Sequence, residues 1–263
     1  MTVAAKAATS ELTPPDPELL RRVADELKAG IEGEVRFDDR ARALYATDAS
    51  PYEIWPLGVV LPRSNEDIRH TLDVASRHSL PVLPRGGGTS LAGQTVASAI
   101  VVDVSKYMID VLELDIPGRR VKVQPGLVRD ELNALLAPHG LQFTPDVSTT
   151  NRANVGGMVA NNSAGTRSIK YGRSVDQVIA MTVMLSDGTI LDLRETSGTE
   201  LGARLAQDDR EGEIYRAVHG IVTEHEDEIE KRFPKVMRRV GGYNLDEFTG
   251  GRPFNLAKLI SGS

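Results

Sequence analysis

Apolar runs of strand length alternate with helical periodicity along most of the chain, and the clearest unit is a strand–helix–strand. Gly58-Val59-Val60-Leu61 is a short buried strand. Ser64 is an N-cap with Asp67 three residues on, near a capping box, and Ile68, Leu72 and Ala75 fall on one helical face. Pro81–Pro84, centred on Val82-Leu83, forms the second strand. Before this unit, the pattern predicts a helix over Pro17–Ala29 stopped by Gly30, and a short one over Arg40–Tyr45. Asp48-Ala49-Ser50-Pro51-Tyr52 is turn-rich, and residues 1–16, rich in Ala, Thr and Pro, read as a flexible tail without the apolar core of a secretory signal.

After the unit comes a strand over Ile100–Val104, then a hairpin of Val111–Leu114 with Arg120–Gln124 turned by Asp115-Ile116-Pro117-Gly118. A helix follows with Val128, Leu132, Leu135 and Leu136 on one face, closed by Pro138 and Gly140. A second hairpin alternates Ile179, Met181, Val183 and Leu185 with polar or small residues, and Asp187-Gly188 predicts a type I′ turn into Thr189–Leu193. A long helix over Gly212–Phe233 carries Ile214, Val218, Ile221, His225 and Ile229 on one face, with His225 at the core edge. The last stretch places a strand or helix at Leu256–Leu259, running into Ser261-Gly262-Ser263 as if the chain were a fragment.

The most informative stretch, Pro84-Arg85-Gly86-Gly87-Gly88-Thr89-Ser90, leaves the end of the second strand. Consecutive glycines let the backbone turn through positive φ and aim several N–H groups at one point, which makes an anion-binding concavity. Thr89 and Ser90 add hydroxyl donors and Arg85 a fixed positive charge. A P-loop needs a lysine after its last glycine, and none stands there. A Rossmann fingerprint needs a helix opening from the loop, but residues 90–99 are too short and too rich in small residues, so Asp103 is not a ribose-binding acid. A tight turn between strands is the plainer alternative.

Composition narrows the ligand. The chain has 263 residues, 40% hydrophobic, with a formal net charge of −6, which argues against nucleic acid as a partner. It has no apolar run long enough to cross a membrane, and no cysteine to hold a disulfide, a thiolate-bound zinc or an iron–sulfur cluster. Its five histidines lack metal-ligand spacing, and His70 and His78 are expected to face solvent from their helix.

A second region, residues 143–172, is almost entirely small or polar: Thr144-Pro145-Asp146-Val147-Ser148-Thr149-Thr150, then Asn154 to Gly165, then Tyr171-Gly172. Asn154 can cap a short helix whose second and third residues, Gly156 and Gly157, let a ligand approach the exposed amides. So long a loop inside a domain points to a ligand-lining role.

Together, Pro84–Ser90, Pro145-Asp146, Gly156-Gly157, Asn162-Ser163-Ala164-Gly165 with Tyr171-Gly172, and Ser186-Asp187-Gly188 occur in one order and spacing over about residues 35–263. The chain thereby resembles FAD-linked oxidases and dehydrogenases with the vanillyl-alcohol-oxidase type of FAD-binding domain, such as D-lactate dehydrogenase and the glycolate oxidase D subunit. It looks closest to long members fused to an iron–sulfur domain. The resemblance implies an α+β fold of two subdomains with FAD between them, residues 17–263 forming that domain. It implies that Pro84, Arg85, Gly86, Gly87, Gly88, Thr89 and Ser90 wrap the pyrophosphate, and that Pro145, Asp146, Ser148 and Thr149 line the flavin side. Gly156, Gly157, Asn161, Asn162, Ser163, Ala164 and Gly165 would follow the ribityl and phosphate portion, with backbone bonds from Val183 to adenine. Covalent relatives carry histidine after the glycines; Thr89 stands there, so the flavin is expected to be non-covalent. Family substrate and metal ligands, and the cysteines of an iron–sulfur domain, would lie beyond Ser263, so no catalytic residue is assigned.

The implied activity is oxidation of a small 2-hydroxy acid by hydride transfer to FAD, with electrons passing to an iron–sulfur domain, a quinone or another acceptor. The implied location is the cytoplasm, free or peripheral to the inner membrane. The alternatives are a flavoenzyme of the UDP-N-acetylenolpyruvoylglucosamine reductase type and a non-catalytic nucleotide-binding module.

Overall fold

In the computed structural model, residues 16–239 and 242–262 are described; all but the last residue of the expected tail lies outside them. Helix α1 (Pro17–Gly30) starts where Asp16 accepts the Glu18 N–H at 3.0 Å and Pro17 occupies its first turn. It buries Val23, Ala24 and Leu27. Strand β1 (Glu34–Arg36) and helix α2 (Asp39–Tyr45, capped by Asp38) follow, then β2 (Gly58–Leu61), α3 (Asn65–Arg77), β3 (Val82–Arg85) and β4 (Ile100–Asp103). The sheet order is β1-β2-β4-β3, with β1 antiparallel to β2 and the other pairings parallel.

Helix α3 shows why sequence periodicity placed this unit well but its inward face imperfectly. Ser64 caps it as expected, yet Asp67 closes no capping box. Its carboxylate instead accepts the N–H groups of Glu32, Gly33 and Arg63 at 3.0, 3.0 and 2.8 Å, tying the α1–β1 turn to the helix start. The buried face is Asp67, Thr71, Val74 and Ala75, leaving Ile68 and Leu72 half-buried. His70 and His78 do not face solvent. Both are half-buried against α1, where His78 Nε2 lies 3.0 Å from Glu26 Oε1 and His70 Nε2 3.3 Å from the Glu26 carbonyl oxygen. Val23, Leu27, Val60, Val74 and Ile100 form the dry centre of this layer. Each such side chain contributes about 1.5–3 kcal/mol by leaving water.

A hairpin, β5 (Val111–Asp115) and β6 (Arg120–Val123), packs over α4 (Arg129–Leu136), which a 3₁₀ turn at Ala137–His139 and Gly140 (φ 67°) close. Leu132 and Leu136 point inward, but Leu135 is exposed rather than on the inner face. Three short helices, α5 (Val155–Ala160), α6 (Ser168–Tyr171) and α7 (Ser174–Gln177), order the small-residue region.

The remaining layer joins β7 (Ala180–Met184), β8 (Ile190–Thr196), α8 (Gly198–Leu205), α9 (Arg210–Arg232), a 3₁₀ turn (Leu245–Phe248), β9 (Phe254–Asn255) and α10 (Leu256–Ile260). The β7–β8 turn is not type I′, because among its residues only Gly188 has positive φ (82°). The Gly188 N–H donates to Leu185 O and the Leu185 N–H to Thr189 O, the three-residue loop in which a glycine forms a bulge. Ile179 and Ile221 are exposed; α9 buries Ile229 as the periodicity predicts, together with Tyr215 and Val222. His225 is exposed at a kink in α9 (φ −118°, ψ 20°), so it is not a core-edge residue. The segment at 256–259 is helical, and β9 adds an antiparallel strand to β8 from 58 residues away. Among the described residues no helix is long and apolar enough to cross a membrane.

Candidate cofactor site

The glycine loop leaves the carboxyl end of β3, beside the carboxyl end of the parallel β4, where α/β sheets place ligands. No helix follows before β4, as the sequence predicts. Of the three glycines only Gly88 has positive φ (63°). Gly86 and Gly87 are glycine for a different reason, because other chain segments press on them. A Cβ on Gly86 would lie 2.7 Å from Asn154 Oδ1, and one on Gly87 would lie 2.3 Å from the Arg152 carbonyl oxygen. The loop is thus bent around residues 152–154 of the second small-residue region.

Arg85 does not present a free charge on this loop. Its guanidinium donates to the carbonyls of Tyr45 (3.1 Å), Thr95 (2.9 Å) and Thr47 (2.8 Å), and stacks over the Tyr45 ring at 5.1 Å. Burial pushes this guanidinium down from its ordinary value, opposed by Asp103, Tyr45 and Asp48. Gly88 passes directly over Nη2, where a Cβ would come within 2.7 Å, and its carbonyl accepts the Ala49 N–H at 3.0 Å. Arg85 is therefore the post that gathers residues 45–49, 88 and 95. Asp103 is engaged internally too, accepting the Tyr45 hydroxyl at 2.5 Å and the Ser105 N–H at 2.8 Å. Burial, then this bond to Asp103, pushes the Tyr45 phenol above its ordinary value.

The small-residue region is braced in the same way. Buried Arg129 donates from Nε to Pro145 O at 2.6 Å. Asp146 accepts the Thr166 hydroxyl (3.0 Å), the Arg167 N–H (3.1 Å) and Arg167 Nε (3.0 Å). Burial raises the Asp146 carboxyl, but these Arg167 and Thr166 bonds outweigh it and hold the group below its ordinary value. Gly165 lies against Asp146, with an added Cβ only 2.0 Å from Oδ1. Thr149 O accepts the Arg152 and Ala153 N–H groups, turning the chain back toward the glycine loop, while Ser148 is exposed.

Asn154 sits at the N-cap of α5 without capping it through its side chain. Its Nδ2 donates to Gly126 O, and its Oδ1 has no partner. Asn162 is buried in the left-handed region (φ 41°), accepts the Val175 N–H at 3.0 Å, and has an unpartnered Nδ2. Ser163 O accepts both the N–H and the hydroxyl of Ser174, and Gly165 N donates to Ser168 Oγ. Ala164 lies between them. Gln94 Nε2 meets Asn161 Oδ1 at 3.2 Å, joining the end of the glycine stretch to the end of α5.

Gly86 and Gly87 thus meet residues 152–154, Gln94 meets Asn161, and Asp146 joins Gly165–Arg167 by a second set of bonds. Val183 is not drawn into either set. It lies mid-strand in β7, opposite Leu191 and against the third layer's apolar cluster, although β7 is an edge strand of its sheet. Three buried polar atoms without a partner, Thr144 Oγ1, Asn154 Oδ1 and Asn162 Nδ2, fall in the small-residue region. Glycines closed to any side chain and orphaned polar atoms in small-residue loops fit a large polar ligand such as a dinucleotide. Arg129 was not readable as part of this region, since nothing local to it signals a partner 16 residues away.

The family model described as "FAD binding domain" matches residues 56–194, which includes both small-residue regions. The chain belongs to this family. This FAD-binding domain is 37% identical to a D-2-hydroxyglutarate dehydrogenase of Pantoea ananatis over 257 residues, covering 94% of the chain and 25% of that protein. It is 34% identical to glycolate oxidase subunit GlcD of Bacillus subtilis, over 68% of the chain and 37% of the relative. Among solved structures it resembles alkyldihydroxyacetonephosphate synthase, with a TM-score of 0.60 and 25% identity, covering 71% of the chain and 37% of that structure. The FAD-binding domain therefore has the mixed α+β fold of the vanillyl-alcohol-oxidase type, and it spans about a quarter of the length of the dehydrogenase it matches.

Proposed function

We propose that the chain is the flavin-binding portion of an oxidoreductase that takes a hydride from the α-carbon of a small 2-hydroxy acid, such as D-2-hydroxyglutarate, glycolate or D-lactate. The domain would extend over residues 17–263. The observation that carries this reading is the glycine loop at the end of β3, closed from behind by residues 152–154, in a chain similar to 2-hydroxy-acid enzymes. Bound FAD would supply the hydride-accepting chemistry.

This chain's residues would bind and orient. Pro84–Ser90 would offer backbone N–H groups and the Thr89 and Ser90 hydroxyls to the pyrophosphate, with Arg85 shaping the loop through carbonyl bonds. Pro145, Asp146, Ser148 and Thr149 would border the flavin, and Gly156, Gly157 and Asn161–Gly165 the ribityl chain. The open edge of β7 at Val183 would meet adenine. With Thr89 after the glycines, the cofactor would be held without a covalent bond. Electrons would leave to an iron–sulfur domain, a quinone or another acceptor, and the protein would work in the cytoplasm or against the inner membrane.

FAD titration followed by flavin fluorescence tests the reading, on the 263-residue chain and on a polypeptide of the relatives' full length. Saturable binding lost in an Arg85→Ala, Gly87→Val double variant, and bleaching of the bound flavin by one of the three acids, are the expected results. Absence of FAD from the longer polypeptide, or a flavin that none of these acids reduces, would overturn it.

A further inference from the structure

Asn154 has an arrangement that helix capping does not explain. It is 3% exposed, and its side chain is anchored by the Nδ2 bond to Gly126 O. A carbonyl oxygen requires a donor, so this bond fixes which end of the amide faces the glycine loop. The facing end is Oδ1, which has no partner and is closed to solvent. It is the nearest atom to the Cβ position of Gly86, at 2.7 Å, and the second nearest to the Gly87 position, at 3.2 Å. The backbone on either side is held as well: residues 128 and 154 form a bridge, and the Val155 N–H donates to Leu127 O at 2.9 Å. Behind the loop there is accordingly a fixed block rather than a movable side chain.

We propose that Asn154 is a positioning residue for the glycine loop, filling from behind the volume a side chain at Gly86 would take and so setting the curve on which the cofactor's phosphates rest. It acts through Gly86 and Gly87. The benefit to the cofactor rests on the FAD reading above, whereas the contact itself does not.

The two glycines supply an internal control. Gly86 is blocked by a side chain, which a second substitution can remove. Gly87 is blocked by the Arg152 carbonyl, which no substitution removes. The test is a set of double-variant cycles on the 263-residue chain, read first as melting temperature without ligand and then as FAD affinity. Gly86→Ala should lower the melting temperature in the presence of Asn154 and much less beside Asn154→Ala, while Gly87→Ala should lose only a small part of its cost there, since its main obstacle is the Arg152 carbonyl at 2.3 Å and Asn154 Oδ1 is only a secondary one at 3.2 Å. FAD affinity should follow the same pattern, with Asn154→Ala alone weakening it about tenfold, the equivalent of one typical hydrogen-bonding contact. Asn154→Asp keeps the shape and needs no repacking. Its buried carboxyl can donate to Gly126 O only when protonated, and burial favours that form. FAD binding by this variant should be weak at pH 8 and recover toward pH 5, while the parent chain stays level.

Additive melting temperatures for Gly86→Ala with Asn154→Ala would overturn the contact. Coupled melting temperatures with uncoupled FAD affinities, or an Asn154→Asp variant whose affinity ignores pH, would overturn its role toward the cofactor. Coupled melting temperatures in a chain that binds no FAD, with none bound by a polypeptide of the relatives' full length either, would instead contradict the FAD reading and leave the contact standing.

Discussion

Two glycine pairs, Gly86-Gly87 and Gly156-Gly157, lie in the two small-residue regions, and one of the four is glycine for a different reason from the rest. Gly86 and Gly87 are pressed by Asn154 Oδ1 and the Arg152 carbonyl, so the protein itself forbids a side chain there. In α5 the pair divides. Gly156 is closed by Pro125, 2.6 Å from an added Cβ, whereas Gly157 is exposed and has nothing within 4 Å. A glycine inside a helix costs about 0.5–1 kcal/mol relative to alanine, and no contact within the chain explains that cost at Gly157. Gly220, on the outer side of α9, is equally open, but no small-residue loops converge on it. The difference separates glycines that shape the loops from one whose open face, on the proposed reading, would leave room for the cofactor.

Substituting each kind sharpens the contrast. The largest effect is expected at Gly165, where a Cβ would fall 2.0 Å from Asp146 Oδ1 and 2.3 Å from its carbonyl oxygen. Gly165→Ala should destabilise the chain by more than about 3 kcal/mol, in the range reserved for severe steric conflict, read as a drop in thermal midpoint. Gly87→Ala should come next, at about 2–3 kcal/mol, since its obstacle is also backbone.

Asp146 offers a smaller, pH-dependent test. Its carboxyl is held below the ordinary value of 3.8 by the Arg167 and Thr166 bonds, which outweigh burial. A depressed carboxyl stabilises the folded state above its unfolded pKa, and that contribution disappears as pH falls through the folded pKa. Melting temperatures between pH 6 and pH 3 should therefore fall less steeply for Asp146→Asn than for the parent chain. An unchanged slope would show that the 146–167 brace carries no such linkage. The smallest effect on stability has the opposite sign. Gly157→Ala and Gly220→Ala should each stabilise the ligand-free chain by about 0.5–1 kcal/mol.

Much of this was legible in the sequence because it is local. Ser64 before an apolar helix, the unbroken run Gly58–Leu61 and three glycines after Val82-Leu83 suffice to place a loop at the end of a parallel strand. What the sequence hid depends on distant partners. Arg85 looks like a phosphate ligand until its bonds to Tyr45 and Thr47, 40 and 38 residues away, are seen. Asn154 looks like a cap until its amide is found bonded to Gly126, 28 residues earlier. Helical periodicity correctly groups Leu132 with Leu136, but it cannot say how wide the covered stripe is, and so it overextends to Leu135 and Ile221. The type I′ turn failed because Asp-Gly also suits a three-residue loop with a glycine bulge.

The most direct measurement is a calorimetric FAD titration of the parent chain beside Gly157→Ala and Gly220→Ala, with melting temperatures taken on the same samples. Saturable FAD binding is predicted for the parent and for Gly220→Ala, with markedly weaker binding by a Gly157→Ala chain that melts no lower than the parent. Equal FAD affinity in all three would contradict the claim that the space over Gly157 belongs to the cofactor.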